Sequence, residues 1–423
     1  MIYLGLGSNQ GNRRHYLSEA IKKLARGGFE IEQISPLVES PALLKEDALP
    51  EWNRPYLNLV LSGNTRHTPE ETLRLAKTIE QDLGRDLAAS RWSPRNIDID
   101  LLLWHEERIS TADLTIPHAE MHKRSFVIAP LIHITPHLVI PGINLTPLQI
   151  SQQIRPLPLW MGVVNRTPDS FSDGRVFEEL SALETQLDEW ITAGVQILDV
   201  GGESTRPGAE AVAGHVEWAR LEPVISMLER LRSKHTLMPL VSIDTRHADV
   251  AERALERGAD WINDVTGLSD PSLLTVIRER GAGAVAMHSL SIPVKPGESL
   301  DPGRPVDQQL LDWLGTQQRT WQEAGMDDSK IVFDPGVGFG KTAIQNQDII
   351  KKTASLRQHG FRLLVGHSRK SFMNSFAATT FAERDFETLG LSLAMCEQGV
   401  DIIRVHDPLS HIRAYRAWAQ VRV

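Results

Sequence analysis

The sequence predicts two domains of different class: an α+β ferredoxin-like domain over residues 1–157, then a (β/α)8 TIM barrel over residues 158–423. Three observations predict this. At 423 residues the chain is long for a single core. Up to about residue 150 the order is strand, helix, strand, strand, helix, strand, the split β-α-β pattern. Beyond "LTPLQISQQIRPLPLW", where Pro156 and Pro158 interrupt any regular element, strand and helix simply alternate.

In the first half "IYLGLG" reads as a strand and "RHYLSEAIKKLA" as a helix. The strands "FEIEQISPLVES" and "YLNLVLSGNT" follow, then the helix "PEETLRLAKTIEQDLG" and the strand "IDIDLLLW". An apolar "RSFVIAPLIHI" closes the domain as a helix. The second half offers eight strands. They are "WMGVVN" (160–165), "QILDVG" (196–201), "PLVSID" (239–244) and "DWINDV" (260–265), then "GAVAMH" (283–288), "KIVFD" (330–334), "RLLVGH" (362–367) and "DIIRVH" (401–406). Amphipathic stretches such as "HADVAERALERGA" separate them, and eight such units in about 265 residues is the size of a TIM barrel.

Composition narrows the function. The net charge of −9 argues against a general nucleic-acid or acidic-membrane binder, which shows a basic footprint. One cysteine, Cys396, excludes an intrachain disulfide and a zinc site of several thiolates. No apolar run approaches the roughly 20 residues that span a bilayer. The N-terminus enters a strand at once, so a cytoplasmic location is expected.

The segment "RWSPRNIDIDLLLW" carries chemistry. Alternation along a strand turns Ile97 and Ile99 to the core and sets Asp98 and Asp100 side by side on the other face. Two carboxylates that close resist ionising together. A divalent cation would relieve them; so would water with Arg91 and Arg95, and a polar outer strand face is also common.

The barrel strands are expected to end in polar groups: Asn165, Glu203–Thr205–Arg206, Asp244, Asn263–Asp264, His288, Asp334, Ser368–Arg369–Lys370 and Arg404–His406. One such residue is a turn former; eight form a ring around one cavity at the end where barrel active sites lie. Asp244, Asp264 and Asp334 suit the N–H groups of a heterocycle. Arg206, Lys370, Arg404 and His406 suit a phosphate or carboxylate. Dense ion pairing inside the mouth is the plainer alternative for each. Two nucleotide-like motifs are set aside. "GLGSNQG" has one residue too many for a dinucleotide fingerprint, and "PGVGFGKT" has Pro335 where a P-loop needs its first glycine.

These motifs carry a resemblance over nearly the whole chain. Residues 1 to about 157 resemble 6-hydroxymethyl-7,8-dihydropterin pyrophosphokinase in "GLGSN", "YLN", "RWSPRNIDIDLLL" and "IPHAEMHKRSF". Residues 159–423 resemble dihydropteroate synthase in "NRTPDSFSDG", "DVGGESTRPGA", "SIDTR", "INDVTG", "DPGVGFGKT", "GHSRKSF" and "IRVHD". The resemblance implies a bifunctional enzyme of folate synthesis. In the kinase half, Asp98 and Asp100 would hold two magnesium ions on ATP. Arg85, Arg91, Arg95, Arg124 and His118 would take the nucleotide. Tyr56, Asn58, Trp92 and Phe126 would hold the pterin. In the synthase half, Asp244, Asn263, Asp334 and Lys370 would take the pterin. Asn165, with a magnesium ion, Arg404 and His406 would hold its diphosphate. Thr205, Arg206, Pro207, Phe339 and Ser368 would meet p-aminobenzoate. Sulfonamide sensitivity and a homodimer through the barrel are implied likewise.

Departures from the family pattern are Arg166, Arg175, Leu87 and the "MHSLSIP" loop. Two competing readings make their own demands. A sugar-phosphate aldolase needs a Schiff-base lysine within a strand, where only Lys330 at a strand entrance qualifies. A first domain kept only as scaffold would have lost Asp98 and Asp100, and both are intact.

Overall fold

The computed structural model describes every residue except 45–47, 87–92, 166–175, 204–210, 378–379, 381–382 and 422–423. Residues Met1–Leu157 and Pro158–Val423 form two compact units. In the first, β1 (Ile2–Ser8), α1 (Arg13–Arg26), β2 (Phe29–Ile34) and β3 (Val38–Ser40) precede β4 (Tyr56–Thr65) and α2 (Pro69–Asp82). β5 (Asp98–Trp104), the small pair β6 (Ile109–Ser110) and β7 (Thr115–Ile116), α3 (Ser125–Ile134) and α4 (Pro147–Gln153) follow. The main sheet is antiparallel in the order β2-β4-β1-β5, with β3 also paired to β4.

Local chemistry explains these elements. Pro36 splits the expected strand "FEIEQISPLVES" into β2 and β3, since proline has no N–H for a ladder. α2 starts on a capping box of Thr68 and Glu71, with Pro69 in its first turn. The stretch before Pro156 was expected to be irregular; instead a Thr146–Gln149 capping box starts α4, which ends before the proline. β5 alternates as expected: Ile99 and Leu101 are buried while Asp98 and Asp100 remain half-buried on the other face.

The second unit begins with β8 (Leu159–Asn165), α5 (Val176–Ala193), β9 (Ile197–Gly201), α6 (Gly214–Lys234), β10 (Leu240–Asp244) and α7 (Ala248–Glu256). It continues through β11 (Trp261–Asp264), α8 (Pro271–Arg280), β12 (Gly283–Met287), α9 (Val306–Glu323) and β13 (Ile331–Asp334). The last elements are α10 (Ala343–Lys351), α11 (Thr353–Arg357), β14 (Arg362–Val365), α12 (Asp385–Gln398), β15 (Ile402–Val405) and α13 (Pro408–Gln420). The eight strands close into a parallel barrel, β10-β11-β12-β13-β14-β15-β8-β9. Each matches its expected range to within two residues. Leu198, Ile243, Ile262 and Ile403 are fully buried in its core. Lys330 lies in a 3-10 turn ahead of β13 and donates to the Gly281 carbonyl at 2.8 Å, so it is not a lysine inside the barrel. Cys396 is a buried thiol. Among the described residues, no helix is long and apolar enough to cross a membrane.

Candidate functional sites

The first site is a trough on the antiparallel sheet. β1 lies between β4 and β5, and the register sets Gly7 opposite both Asn58 and Asp98, and Gly5 opposite both Val60 and Asp100. Directly opposed residues in an antiparallel pair share a face. Two glycines therefore leave bare backbone between the acids and the pocket wall of β4. A Cβ on Gly7 would stand 3.1 Å from Asn58 Oδ1 and 3.5 Å from the Tyr56 ring. The "GLGSN" glycines thus serve the shape of the trough rather than a dinucleotide turn.

A cavity of about 240 Å³ opens over this floor. Tyr56, Asn58, Arg85, Arg95, Asp98, Asp100, His118, Arg124 and Phe126 all line it, so the structure gathers every described residue expected of the kinase site. Arg91 and Trp92 lie outside the described residues. Asp98 Oδ1 accepts from Arg85 at 2.6 Å and from Arg95 at 3.2 Å. Burial pushes Asp98 up, but these two guanidinium groups outweigh it and hold the carboxyl below its usual range. Among the described residues, Asp100 has Arg124 at 3.9 Å, with the charge of Lys77 also acting on it. Burial, then the charge on Asp98, push it up to about 6. Arg124 also stands 5.8 Å from the centre of the Phe126 ring, placing cation and aromatic face together.

Sequence reasoning missed three residues here. Lys77 lines the cavity, Ser40 accepts a hydrogen bond from the Asn58 amide at 3.1 Å, and Glu80 is fully buried beneath them. Lys77 and Glu80 sit on an ordinary amphipathic helix, where nothing local marks them out.

The second site is the C-terminal mouth of the barrel. Asn165, Gly201, Asp244 and Asn263 form one row across β8, β9, β10 and β11. A Cβ on Gly201 would lie 3.4 Å from the Asp244 Cβ and 3.6 Å from Asn165 Oδ1, which shows how closely these groups converge. Arg404 reaches over from β15, donating to Asp199 at 2.5 Å and to Asp244 at 2.8 Å. Asp199 is wholly buried and also accepts from Ser242 at 2.7 Å and from Asn263 at 3.1 Å. It was missed among the expected site residues, although a lone acid inside the apolar "QILDVGG" was a readable signal.

Burial, only partly offset by Arg404, pushes Asp244 up to about 7, with Asp199 adding to the rise. Asp334 is likewise raised by burial. Lys370 faces it, and burial brings that amine down to about 8. The Lys370 Nζ lies 4.4 Å from the centre of the Phe339 ring and donates to the Val337 carbonyl. His406 Nδ1 is 2.9 Å from the Ser368 hydroxyl, which joins the expected diphosphate group to the expected aminobenzoate group.

Four side chains of the expected ring are engaged within the protein itself. The Asp264 carboxylate accepts from the Thr266 amide and hydroxyl and from the Leu268 amide, which shapes the loop after β11. Arg369 turns away to pair with Asp385 at 2.6 Å. Glu203 is taken up by Arg246 at 2.9 Å. His288 is a buried neutral prop: burial, then neighbouring Lys341, take it down to about 3, and Lys341 Nζ approaches its Nδ1 at 2.9 Å. Lys341 also donates to the Phe339 carbonyl at 2.9 Å, tying two loops together. Thr205, Arg206 and Pro207, and the departures Leu87, Arg166 and Arg175, lie outside the described residues.

Comparison with known proteins agrees with this geometry. The 7,8-dihydro-6-hydroxymethylpterin-pyrophosphokinase family matches residues 3–136, and the pterin binding enzyme family matches residues 161–406. The folate synthesis bifunctional protein of Chlamydia caviae is 35% identical over 442 residues, covering 100% of this chain and 99% of its own length. A structure of dihydropteroate synthase from Anaplasma phagocytophilum with bound 6-hydroxymethylpterin-monophosphate is 33% identical, with TM-score 0.56. It covers 63% of this chain and 99% of its own. The Yersinia pestis dihydropteroate synthase in a sulfonamide drug complex is 30% identical, with TM-score 0.55, over 62% of this chain and 92% of its own. This chain belongs to the bifunctional folate synthesis family, joining a hydroxymethyldihydropterin pyrophosphokinase to a dihydropteroate synthase.

Proposed function

We propose that the sheet trough moves diphosphate from ATP to 6-hydroxymethyl-7,8-dihydropterin, and that the barrel mouth joins the product to p-aminobenzoate. The observation that carries the reading is the pair Asp98 and Asp100 over a glycine floor, walled by Tyr56, Asn58 and Phe126 and rimmed by four cations. A flat ring fits such a floor, and a polyphosphate fits such a rim.

In the trough the pterin hydroxymethyl oxygen attacks the β-phosphorus of ATP. That O–P bond forms as the bond to the α-phosphate oxygen breaks, AMP leaves with the electron pair, and the hydroxyl proton passes to solvent. Arg85, Arg95 and Arg124 hold phosphate oxygens in line; Asn58, Tyr56 and Phe126 hold the ring. His118, with Arg91 and Trp92 by resemblance, completes the nucleotide and pterin walls.

Magnesium fits the acids. Asp100 carries a charge that the protein leaves poorly compensated, and both donors are hard oxygens. Among the described residues no group of three or more His, Cys, Asp or Glu could hold a metal. A site of two carboxylates completed by phosphate and water is what magnesium takes. Asp98 and Asp100 would hold two such ions, which when bound neutralise phosphate charge. Asn165 offers one neutral oxygen, so an ion in the barrel would rely on the substrate's diphosphate.

In the mouth the C–O bond to diphosphate breaks first, and the leaving group takes the electron pair. Arg404, His406 and Asn165 receive that anion. The pterin cation left behind is stabilised by ionised Asp244, with Asn263, Asp334 and Lys370 on the ring. The amine of p-aminobenzoate then attacks the methylene carbon and loses its proton to solvent. Phe339 and Ser368 support that substrate, with Thr205, Arg206 and Pro207 by resemblance.

Asp244 must be ionised and Lys370 protonated, so synthase kcat/KM should fall below a limb near pH 7 and above one near pH 8. Asp199→Asn removes a negative neighbour, so the acid limb should move down by about one pH unit. A limb that stays put or moves up counts against Asp244 as the titrating group. The direct test of function supplies hydroxymethyldihydropterin, ATP, magnesium and p-aminobenzoate together and assays AMP and dihydropteroate. Absence of AMP refutes the trough half, and AMP without dihydropteroate refutes the barrel half. Sulfonamide should compete with p-aminobenzoate in the same assay.

A homodimer and a cytoplasmic location complete the reading. Ile344 of α10 and Phe386 of α12, 70% and 83% exposed on touching helices, support barrel-to-barrel pairing. A sedimenting monomer would exclude it.

A further inference from the structure

β5 is the last strand in its sheet's order, bonded to β1, and among the described residues its outer edge also takes the His118 amide on the Leu102 carbonyl at 2.9 Å, leaving the Ile99 end open. An open edge leaves backbone N–H groups that need partners. The amide of Ile99, lying between the two acids, finds Glu80 Oε1 at 2.8 Å. Glu80 is fully buried near the end of α2, and a buried carboxylate is costly unless donors surround it. Its donors are Ile99, Lys77 and Arg85. Lys77 Nζ donates to Oε1 at 2.9 Å and to Oε2 at 3.1 Å, and Arg85 Nη1 pairs with Oε2.

Both of those cations also line the kinase cavity. Arg85 bridges onward to Asp98 at 2.6 Å. Lys77 leaves 42% of its side chain exposed, and its charge acts on Asp98 and Asp100 alike. One hidden carboxylate therefore fixes three things at once: the backbone between the acids, an arginine on one acid, and a lysine facing the open cavity. A lysine so anchored keeps one donor for a second acceptor, since an ammonium has three and Glu80 takes two.

We propose that Glu80 is a positioning residue of the pyrophosphokinase, pinning the free edge of β5 and holding Lys77 and Arg85 as a paired clamp on the nucleotide's phosphates. Lys77 touches a phosphate oxygen directly. The proposal rests on the trough being the ATP site.

The experiment measures AMP formation against ATP concentration in the full chain, with dihydropteroate formation from pterin diphosphate as the check on folding. Lys77→Met should raise KM for ATP about tenfold, the loss of one charge-assisted bond, with kcat within about twofold. Lys77→Arg should restore most of it. Glu80→Gln keeps an acceptor for Ile99 but loses the charge, so it should raise KM and also lower kcat about tenfold. The double variant should be no worse than Glu80→Gln alone, because Lys77 without its anchor has little left to lose. Unchanged KM in Lys77→Met, or fully multiplicative losses in the double variant, overturns the proposal. If Glu80→Gln also damages the synthase, Lys77→Met decides alone. Calorimetric titration of wild type with magnesium and ATP separates the two readings. No ATP binding at all refutes the trough as nucleotide site, whereas equal binding by wild type and Lys77→Met refutes only the clamp.

Discussion

Asp98→Asn should abolish AMP formation from ATP and hydroxymethyldihydropterin while leaving synthase activity near the wild-type value. Asp98 is the hinge of the trough's electrostatics: it accepts from Arg85 and Arg95 and stands beside Asp100. An amide keeps its size but not its charge, and its N–H₂ group would point donors at two guanidinium groups. Losing two charge-assisted bonds of about 1.5–3 kcal/mol each predicts a loss of about two to four orders of magnitude. The same substitution removes a charge that raises Asp100, which should then titrate lower. Both activities are read from one preparation. If they vanish together, the two-site account is wrong; if AMP still forms at the wild-type rate, Asp98 is not a reacting-site residue.

Lys370→Ala should do the reverse. Its amine carries a cation over the Phe339 ring, faces Asp334 and donates to the Val337 carbonyl in the β13 loop. Alanine removes the charge, the contact with the ring and the tie to that loop. Loss of a charged hydrogen bond of about 1.5–3 kcal/mol, with the ring contact added, predicts a fall of about a hundredfold or more in synthase kcat/KM. The substitution lies in the barrel unit, so AMP formation should be unchanged, and its loss would argue against independent sites. Lys370→Arg should not rescue fully, because a planar guanidinium cannot replace a compact ammonium over Phe339.

Much of this is legible in the sequence. Period-two alternation in "IDIDLLLW" set which way Asp98 and Asp100 face, because a strand has no other choice. Eight strands with polar ends pointed to a barrel mouth, since parallel strands return to the same edge after each helix. What the sequence could not show was which polar ends look inward. Asp264 and Arg369 read like Asp244 and Arg404, yet one serves its own loop amides and the other a neighbouring helix. That choice depends on backbone direction in loops, which has no periodicity. Glu80 and Lys77 were hidden for a different reason. Their roles arise from a contact between a helix and a strand edge 19 residues apart, and helical spacing alone says nothing about which turn meets that edge.

The floor of the trough has a consequence for resistance. Gly5 and Gly7 present main chain, so its width comes from the spacing of paired strands rather than from any replaceable group. An inhibitor lying flat there would rest on atoms that mutation cannot trim. Any side chain added at Gly7 to expel the drug would crowd Asn58 and Tyr56 and expel the natural ring with it. Escape would have to come from the rim, where, if the trough is the proposed ATP site, every cation lost would also weaken the grip on phosphate.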